Sequence, residues 1–308
     1  MRVLVTGGAG FIGSNFVHYL LKETEDTEVV SLDALTYAGD KQKLEGVLDH
    51  PRHEFVEGDI RDRELIDDLI EDVDAVVNFA AESHVDRSID TAEPFVSTNV
   101  QGVQTLLDAA RNTELDAFIQ ISTDEVYGEI TEGKFDEEDE LNPRNPYAAT
   151  KASADLLAES YYITHDVPVI ITRSINNFGP RQNEEKLIPK FITKASKGES
   201  LPLYGDGTNV REWLYVEDNC SAIETVLRKG EVGEVYNIGG GEELQNREVT
   251  ERLLDEVGAS EDLIEYVEDR KGHDQRYALD SSKIYELGWE PQWSFEEGLK
   301  ETVEYCLK

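Results

Sequence analysis

Six short apolar, β-branched runs at positions 3–6, 28–32, 54–56, 75–79, 118–122 and 167–172 alternate with helix-patterned stretches, which predicts an α/β fold built on a doubly wound parallel sheet. A glycine-rich segment, GGAGFIG over 7–13, follows the first run directly and opens the first helical pattern, FIGSNFVHYLL. Asp33 ends the second run, 20 residues after Gly13. Strand, glycine turn, helix and a later acidic residue in this order mark a Rossmann-type dinucleotide unit.

Taken in order, the first strand hands over to Gly7, Gly10 and Gly13, spaced three apart. Missing side chains there permit a tight turn and bring a pyrophosphate close to the free N–H groups of a helix N-terminus. Asp33, at the end of the second strand, suits the adenosine ribose hydroxyls and repels a 2′-phosphate, so NAD is expected rather than NADP. The third strand ends in GDI over 58–60, which places Asp59 and Ile60 at the adenine edge. The fourth ends in NFAAES over 78–83, so Ala80, Ala81 and Ser83 run beside the pyrophosphate and nicotinamide ribose. The fifth, FIQIS, ends in Thr123, Asp124 and Glu125 at the sheet's carboxyl end. Two acids at that place equally suit an ordinary helix start, where they favour the dipole. Next comes YAATK, in which Tyr147 and Lys151 share one helical face a turn apart. A lysine so placed is expected to lower the phenol pKa. On its own, this spacing is also that of any amphipathic helix.

After about residue 173 the elements shorten and are punctuated by FGPR, YGDGT and NIGGG. The expected division is a dinucleotide-binding unit over 1–172 and a smaller, mainly substrate-binding lobe over 173–308, with segments around 211–240 returning to the first. YNIGGG is a candidate for a strand that rejoins the main sheet.

The 308 residues include 66 acidic and 29 basic ones, a formal net charge of -37, spread along apolar periodic segments rather than gathered in a tail. A general basic surface for nucleic acid is excluded, and an anionic substrate requires a local cationic cluster. Self-repulsion of this size points to a host with a very salty cytoplasm. Cys220 and Cys306 form neither a disulfide framework nor a metal-ligand pattern, and no metal is expected. The chain enters a strand at once and has no long apolar run, so a cytoplasmic protein without a membrane span is expected.

The segments TGGAGFIGSN, DALTYAGD, AAESHVDRSI, STDEVYG, PYAATKAS, NNFGPRQNEEKLIP, LPLYGDGTNVREWLYVED, YNIGG and GHDQRYALD resemble, nearly end to end, the dTDP-glucose 4,6-dehydratases of the extended short-chain dehydrogenase/reductase superfamily. GGAGFIG and YxxxK belong to the whole superfamily, whereas AAESHVDRSI and the TDE triplet are more specific to the dehydratases. The resemblance implies a redox-neutral loss of water from dTDP-glucose. Tyr147, aided by Lys151 and Thr123, removes the 4-hydroxyl proton while NAD takes the C4 hydride. Glu125 then removes the C5 proton, Asp124 protonates the departing 6-hydroxyl, and the hydride returns to C6. Two neighbouring carboxyls in opposite protonation states need environments that push their pKa values apart. By the same resemblance Phe11, Ile12, Thr36, Thr98 and Asn177 belong to the cofactor side. Ser83, Thr123, Asn176, Lys186, Leu187, Pro202, Tyr204, Arg211, Asn246 and His273 belong to the substrate side, with Arg211 and Lys186 suited to the diphosphate. His84 is left with a structural role.

Arg181 and Gln182 stand where the family has an aromatic residue and a His, and Lys271 replaces a common proline. These departures bear on base preference, dTDP against UDP, more than on the reaction. The alternatives within the superfamily are a dehydratase of another nucleotide sugar and a 4-epimerase. A homodimer is expected through helices over 93–111 and 147–165, which the family pairs into a four-helix arrangement.

Overall fold

A computed structural model describes residues 1–240, 242–269 and 274–308. Its strands are β1 (Arg2–Thr6), β2 (Glu28–Asp33), β3 (His53–Glu57), β4 (Ala75–Asn78), β5 (Ala117–Thr123), β6 (Val169–Ser174), β7 (Asn176–Phe178), β8 (Leu201–Tyr204), β9 (Val210–Tyr215), β10 (Val235–Ile238), β11 (Glu242–Gln245) and β12 (Ile264–Val267). Seven of them form one sheet in the order β10-β6-β5-β4-β1-β2-β3, and every pairing in it is parallel. The order reverses beside β1, the switch point at which such sheets open a ligand crevice.

Burial on both faces explains why the strands read as continuous apolar runs. Val3 and Val5 face the helices Phe11–Glu23 and Val216–Lys229, whereas Leu4 faces Arg63–Glu71 and Val103–Ala110. Ala154 and Ala158 of the helix Pro146–His165 lie on that second face. Their small size lets the helix approach β5 and β6 closely.

The last strand of the predicted six starts later than the apolar run, at Val169 rather than 167. Pro168 has no N–H to give the ladder, and Asp166 adopts a left-handed conformation (φ 57°) to end the preceding helix. Val235–Ile238 pairs in parallel with β6 and extends the sheet by one strand. The stretch over 93–111 is helical, with a π-helical insert, Val96–Gly102. Such inserts often sit at functional sites. Here it turns Asn99 inward, where its amide holds both backbone polar groups of Glu82 and the Thr150 hydroxyl.

A smaller lobe carries the sheets β11-β9-β7 and β12-β8. Its core joins the helices Leu187–Ser196, Asn246–Val257 and Phe295–Cys306 around Phe178, Trp213 and Phe295.

Candidate active site

The turn after β1 is as tight as its glycines allow. Gly7 has φ 68°, and a Cβ there would stand 2.7 Å from the Ala80 nitrogen. At Gly13 a Cβ would stand 2.2 Å from the Gly7 carbonyl oxygen. Gly10 caps the helix Phe11–Glu23 without a side chain, and the first turn holds no acid, so its N–H groups offer an anion site. Asp33 supports this loop: its carboxylate accepts from the Ala9 and Leu35 backbone N–H groups at 2.9 and 2.8 Å. Burial pushes its pKa up against those hydrogen bonds.

The rest of the predicted cofactor set lies around the same strand ends. Ile60 is buried and close enough to Gly102 to exclude a side chain there, while Asp59 is committed to Arg61. The Ala80 N–H reaches the Thr6 hydroxyl, which donates to buried Asn78. Ala81 and Thr98 are half-buried and Thr36 is exposed. Asn177 donates to the Ile175 carbonyl at 2.9 Å, and its buried Oδ1 has no partner among the described residues. A turn too tight for any Cβ, a helix N-terminus with no acid in its first turn and an orphaned acceptor in the lining of the adjoining cleft fit a dinucleotide.

In front of these strand ends lies a cleft of about 590 Å³, within the range of small-molecule sites. Phe11, Ile12, Ser83, Thr123, Glu125, Tyr147, Asn176 and Asn177 line its sheet side. Lys186, Leu187, Pro202, Tyr204, Arg211 and Asn246 line it from the smaller lobe. The glycines, Asp33, Thr36, Asp59, Ile60, Ala80, Ala81, Thr98, Asp124 and Lys151 are not among its lining residues. His273 and Lys271 lie outside the described residues.

A single 3₁₀ turn, Asp124–Val126, follows β5 and gives its two acids different surroundings. Asp124 is only 3% exposed and accepts from the Thr123 hydroxyl at 3.0 Å. Burial, and then the charge of Glu125, push it up to about 7. Glu125 faces the cleft, where its Oε2 accepts from the Asn145 side-chain amide at 2.9 Å. The separation of environments required of such a pair is therefore present.

One expectation is corrected. Burial, followed by the charges of Glu125 and Asp124, drives the Tyr147 phenol up rather than down, and the opposing contribution comes from the Thr123 hydroxyl. Lys151 is itself buried and lowered to about 8 by desolvation, with Asp155 opposing. Its ammonium donates to the Ile121 carbonyl at 2.6 Å. Burial outweighs the shared helical face.

On the lobe side, Arg211 stacks over the Tyr277 ring at 4.6 Å and donates to the carbonyls of Val210, Asp274 and Gln275. Lys186 reaches the Ser83 carbonyl across the cleft at 3.4 Å. These are the local cations that an anionic substrate requires.

Several lining residues escaped the sequence reading. Glu185 pairs with Arg87 at 3.2 Å and stands 3.5 Å from His84, which also caps the helix Val85–Asp90. Tyr277 and Trp213 enter from the lobe. Behind Lys151, Asp155 and Arg173 form a buried pair at 3.0 Å, foreshadowed by an Asp four residues beyond the lysine. Of the departures at 181 and 182, Arg181 does not line this cleft. With φ 69° its side chain turns to Asn15 and the Lys43 carbonyl, while Gln182 does line it. Among the described residues, no group of three or more His, Cys, Asp or Glu is placed to hold a metal.

A family model described as GDP-mannose 4,6 dehydratase matches residues 4–302. Low-salt glycan biosynthesis protein Agl12 of Haloferax volcanii is 70% identical over 307 residues, covering 100% of this chain and 99% of the relative. The dTDP-glucose 4,6-dehydratase of Streptomyces niveus is 52% identical over 310 residues, covering 99% and 92%. A crystal structure of a DesIV double mutant, a dTDP-glucose 4,6-dehydratase from Streptomyces venezuelae with NAD bound, superposes with a TM-score of 0.97 at 52% identity, covering 100% of this chain and 97% of that one. The sheet order, the Asp124–Glu125 turn and these likenesses agree: the chain belongs to the dTDP-glucose 4,6-dehydratases of the extended short-chain dehydrogenase/reductase superfamily.

Proposed function

We propose that this protein is a hydro-lyase that converts dTDP-glucose to dTDP-4-keto-6-deoxyglucose and water with bound NAD. The observation that carries the reading is the adjacent pair Asp124 and Glu125, one buried and pushed up to about 7, the other facing the cleft beside Tyr147. NAD, when bound, accepts a hydride from C4 and supplies one to C6. The chain's own residues handle the protons. Tyr147 in its phenolate form, reached against the burial that holds its own proton, takes that of the 4-hydroxyl, with Thr123 on its oxygen and Lys151 behind it. The resulting 4-keto group acidifies C5–H. Glu125 removes the C5 proton and gives it back to C5 once C6 has its hydride, and Asp124, holding its proton near neutral pH, gives that proton to the departing 6-hydroxyl. Gly7, Gly10 and Gly13 receive the pyrophosphate, Asp33 the ribose, and Arg211 and Lys186 the substrate diphosphate.

A 4-epimerase needs no acid and base for C5 and C6, so the same pair speaks against it. A dehydratase of another nucleotide sugar is the alternative, and among the described residues Gln182 is the departure that touches the cleft. Incubation with a panel of nucleotide hexoses in molar KCl, with product analysis by mass spectrometry, tests both. Formation of the 4-keto-6-deoxy sugar from dTDP-glucose is expected, and C4 inversion without water loss would overturn the reading. We assign 1–172 to the dinucleotide-binding unit, with the helix Val216–Lys229 and β10 completing it, and the rest of 173–308 mainly to the substrate lobe. The name of the Haloferax volcanii relative supports a place in glycan biosynthesis.

A homodimer is proposed through the segments over 93–111 and 147–165, which leave Val96, Leu156 and Ile163 exposed, the last at 75%. Light scattering in molar KCl is expected to give twice the 34.7 kDa chain mass, and a monomer would sink the proposal. We place the protein in a salty cytoplasm, consistent with the net charge of -37 and unbonded Cys220 and Cys306. The Debye length shrinks from about 10 Å at 0.1 M salt to about 3 Å at 1 M, which screens the repulsion. The thermal midpoint is therefore expected to rise across a KCl series at constant NAD, and a flat or falling midpoint would remove this account.

A further inference from the structure

Asn145 stands between the two catalytic elements and touches both. With an extended backbone (φ −138°, ψ 162°) it caps the helix Pro146–His165, and its Oδ1 accepts from the Ala148 N–H at 2.9 Å. The other end of the same amide donates Nδ2–H to Glu125 Oε2 at 2.9 Å. The charge of this carboxylate is felt by Asp124, Tyr147 and Tyr277. An acid and two phenols lie near the base, and the neutral Asn145 amide donates to it.

The amide is itself held. Asn142 N–H donates to the Val126 carbonyl at 3.0 Å, docking the incoming segment on the 3₁₀ turn that carries Glu125. Gly128 lets that segment pass, since a Cβ there would stand 2.5 Å from the Asn142 carbonyl oxygen. Arg144 then ties it to Asp274 of the substrate lobe at 2.7 Å. Helix capping alone does not explain an asparagine here, because Asp and Ser cap as well. Only the amide offers an acceptor to the helix and, at the same time, a neutral donor with this reach to the carboxylate.

We infer that Asn145 is a positioning residue for the elimination: it fixes the Glu125 carboxylate toward C5 and ties that setting to the helix start that presents Tyr147. This rests on the reading of Glu125 as the C5 base. The test uses Asn145→Asp and Asn145→Ser, both of which keep the cap, together with Glu125→Gln. Thermal midpoints of the two Asn145 variants are expected to match the parent. Turnover is expected to fall about 10²-fold, the loss a misplaced group incurs, with KM for the nucleotide sugar unchanged. Because oxidation at C4 continues, the near-ultraviolet absorbance of reduced nicotinamide is expected to build up in a single turnover. Asn145→Asp should be the slower, with a second negative charge against the carboxylate. Parent turnover in both variants would leave Asn145 a cap and overturn the inference. So would a loss of turnover without accumulation of reduced nicotinamide, which would route the effect through Tyr147. If Glu125→Gln itself turns over normally, the reading of the base has failed instead.

Discussion

Glu125→Gln is expected to lower formation of the 4-keto-6-deoxy product by about 10²–10⁴-fold while leaving NAD binding and C4 oxidation intact. The amide keeps the size of the side chain and an oxygen for the Asn145 donor, but it cannot take a proton from C5. Mixed with substrate in a single turnover, this variant should therefore stall with its nicotinamide reduced. Tyr147→Phe fails one step earlier, because the phenol is the group placed to take the 4-hydroxyl proton, and its nicotinamide should stay oxidised. The contrast between the two stalls separates the roles even though the residues line one cleft. Full turnover in either variant removes the role assigned to it.

How much of this could be read from the sequence depended on whether the cause was local. Strands buried on both faces appear as apolar runs, Gly13 is required by a contact within one βα turn and Gly7 by its positive φ in that turn, so these were legible. The pull of the protein interior was not. Tyr147 and Lys151 announce a shared face by their spacing, yet desolvation sets the direction in which each titrates, and burial is a property of the packed whole. Arg181 is instructive in another way. Adjacent to Gln182 in sequence, it was grouped with the nucleotide lobe, but its positive φ turns it to the far side, against Asn15. Tyr277, Trp213 and Glu185 reach the cleft from separate segments that converge only in three dimensions. Asp124 and Glu125 were visible as a pair, but what sets them apart lies in the fold: the closed environment under β5 for one and Asn145, 20 residues onward, for the other.

That closed environment has a thermodynamic consequence, since Asp124→Asn is expected to stabilise the protein while stopping its chemistry. A carboxyl raised from 3.8 to about 7 binds its proton more tightly in the folded than in the unfolded chain. Its favourable contribution is therefore present in full below the unfolded value and is lost as pH rises toward 7, leaving a cost of at most ~4 kcal/mol above that. Asparagine cannot ionise and never incurs it. The variant's thermal midpoint should exceed the parent's by a margin that is small at pH 5, grows through pH 7 and then levels off, measured at fixed KCl and NAD. Turnover should meanwhile fall about 10²–10⁴-fold, because an amide gives no proton to the departing 6-hydroxyl. In the parent, elimination should decline as pH rises past about 7 and Asp124 empties. A pH-independent difference in midpoint would mean that the carboxyl titrates normally in the fold, and an unchanged turnover would remove Asp124 as the acid. Stability given up at one buried carboxyl, in exchange for a proton available near neutral pH, is the trade this site makes.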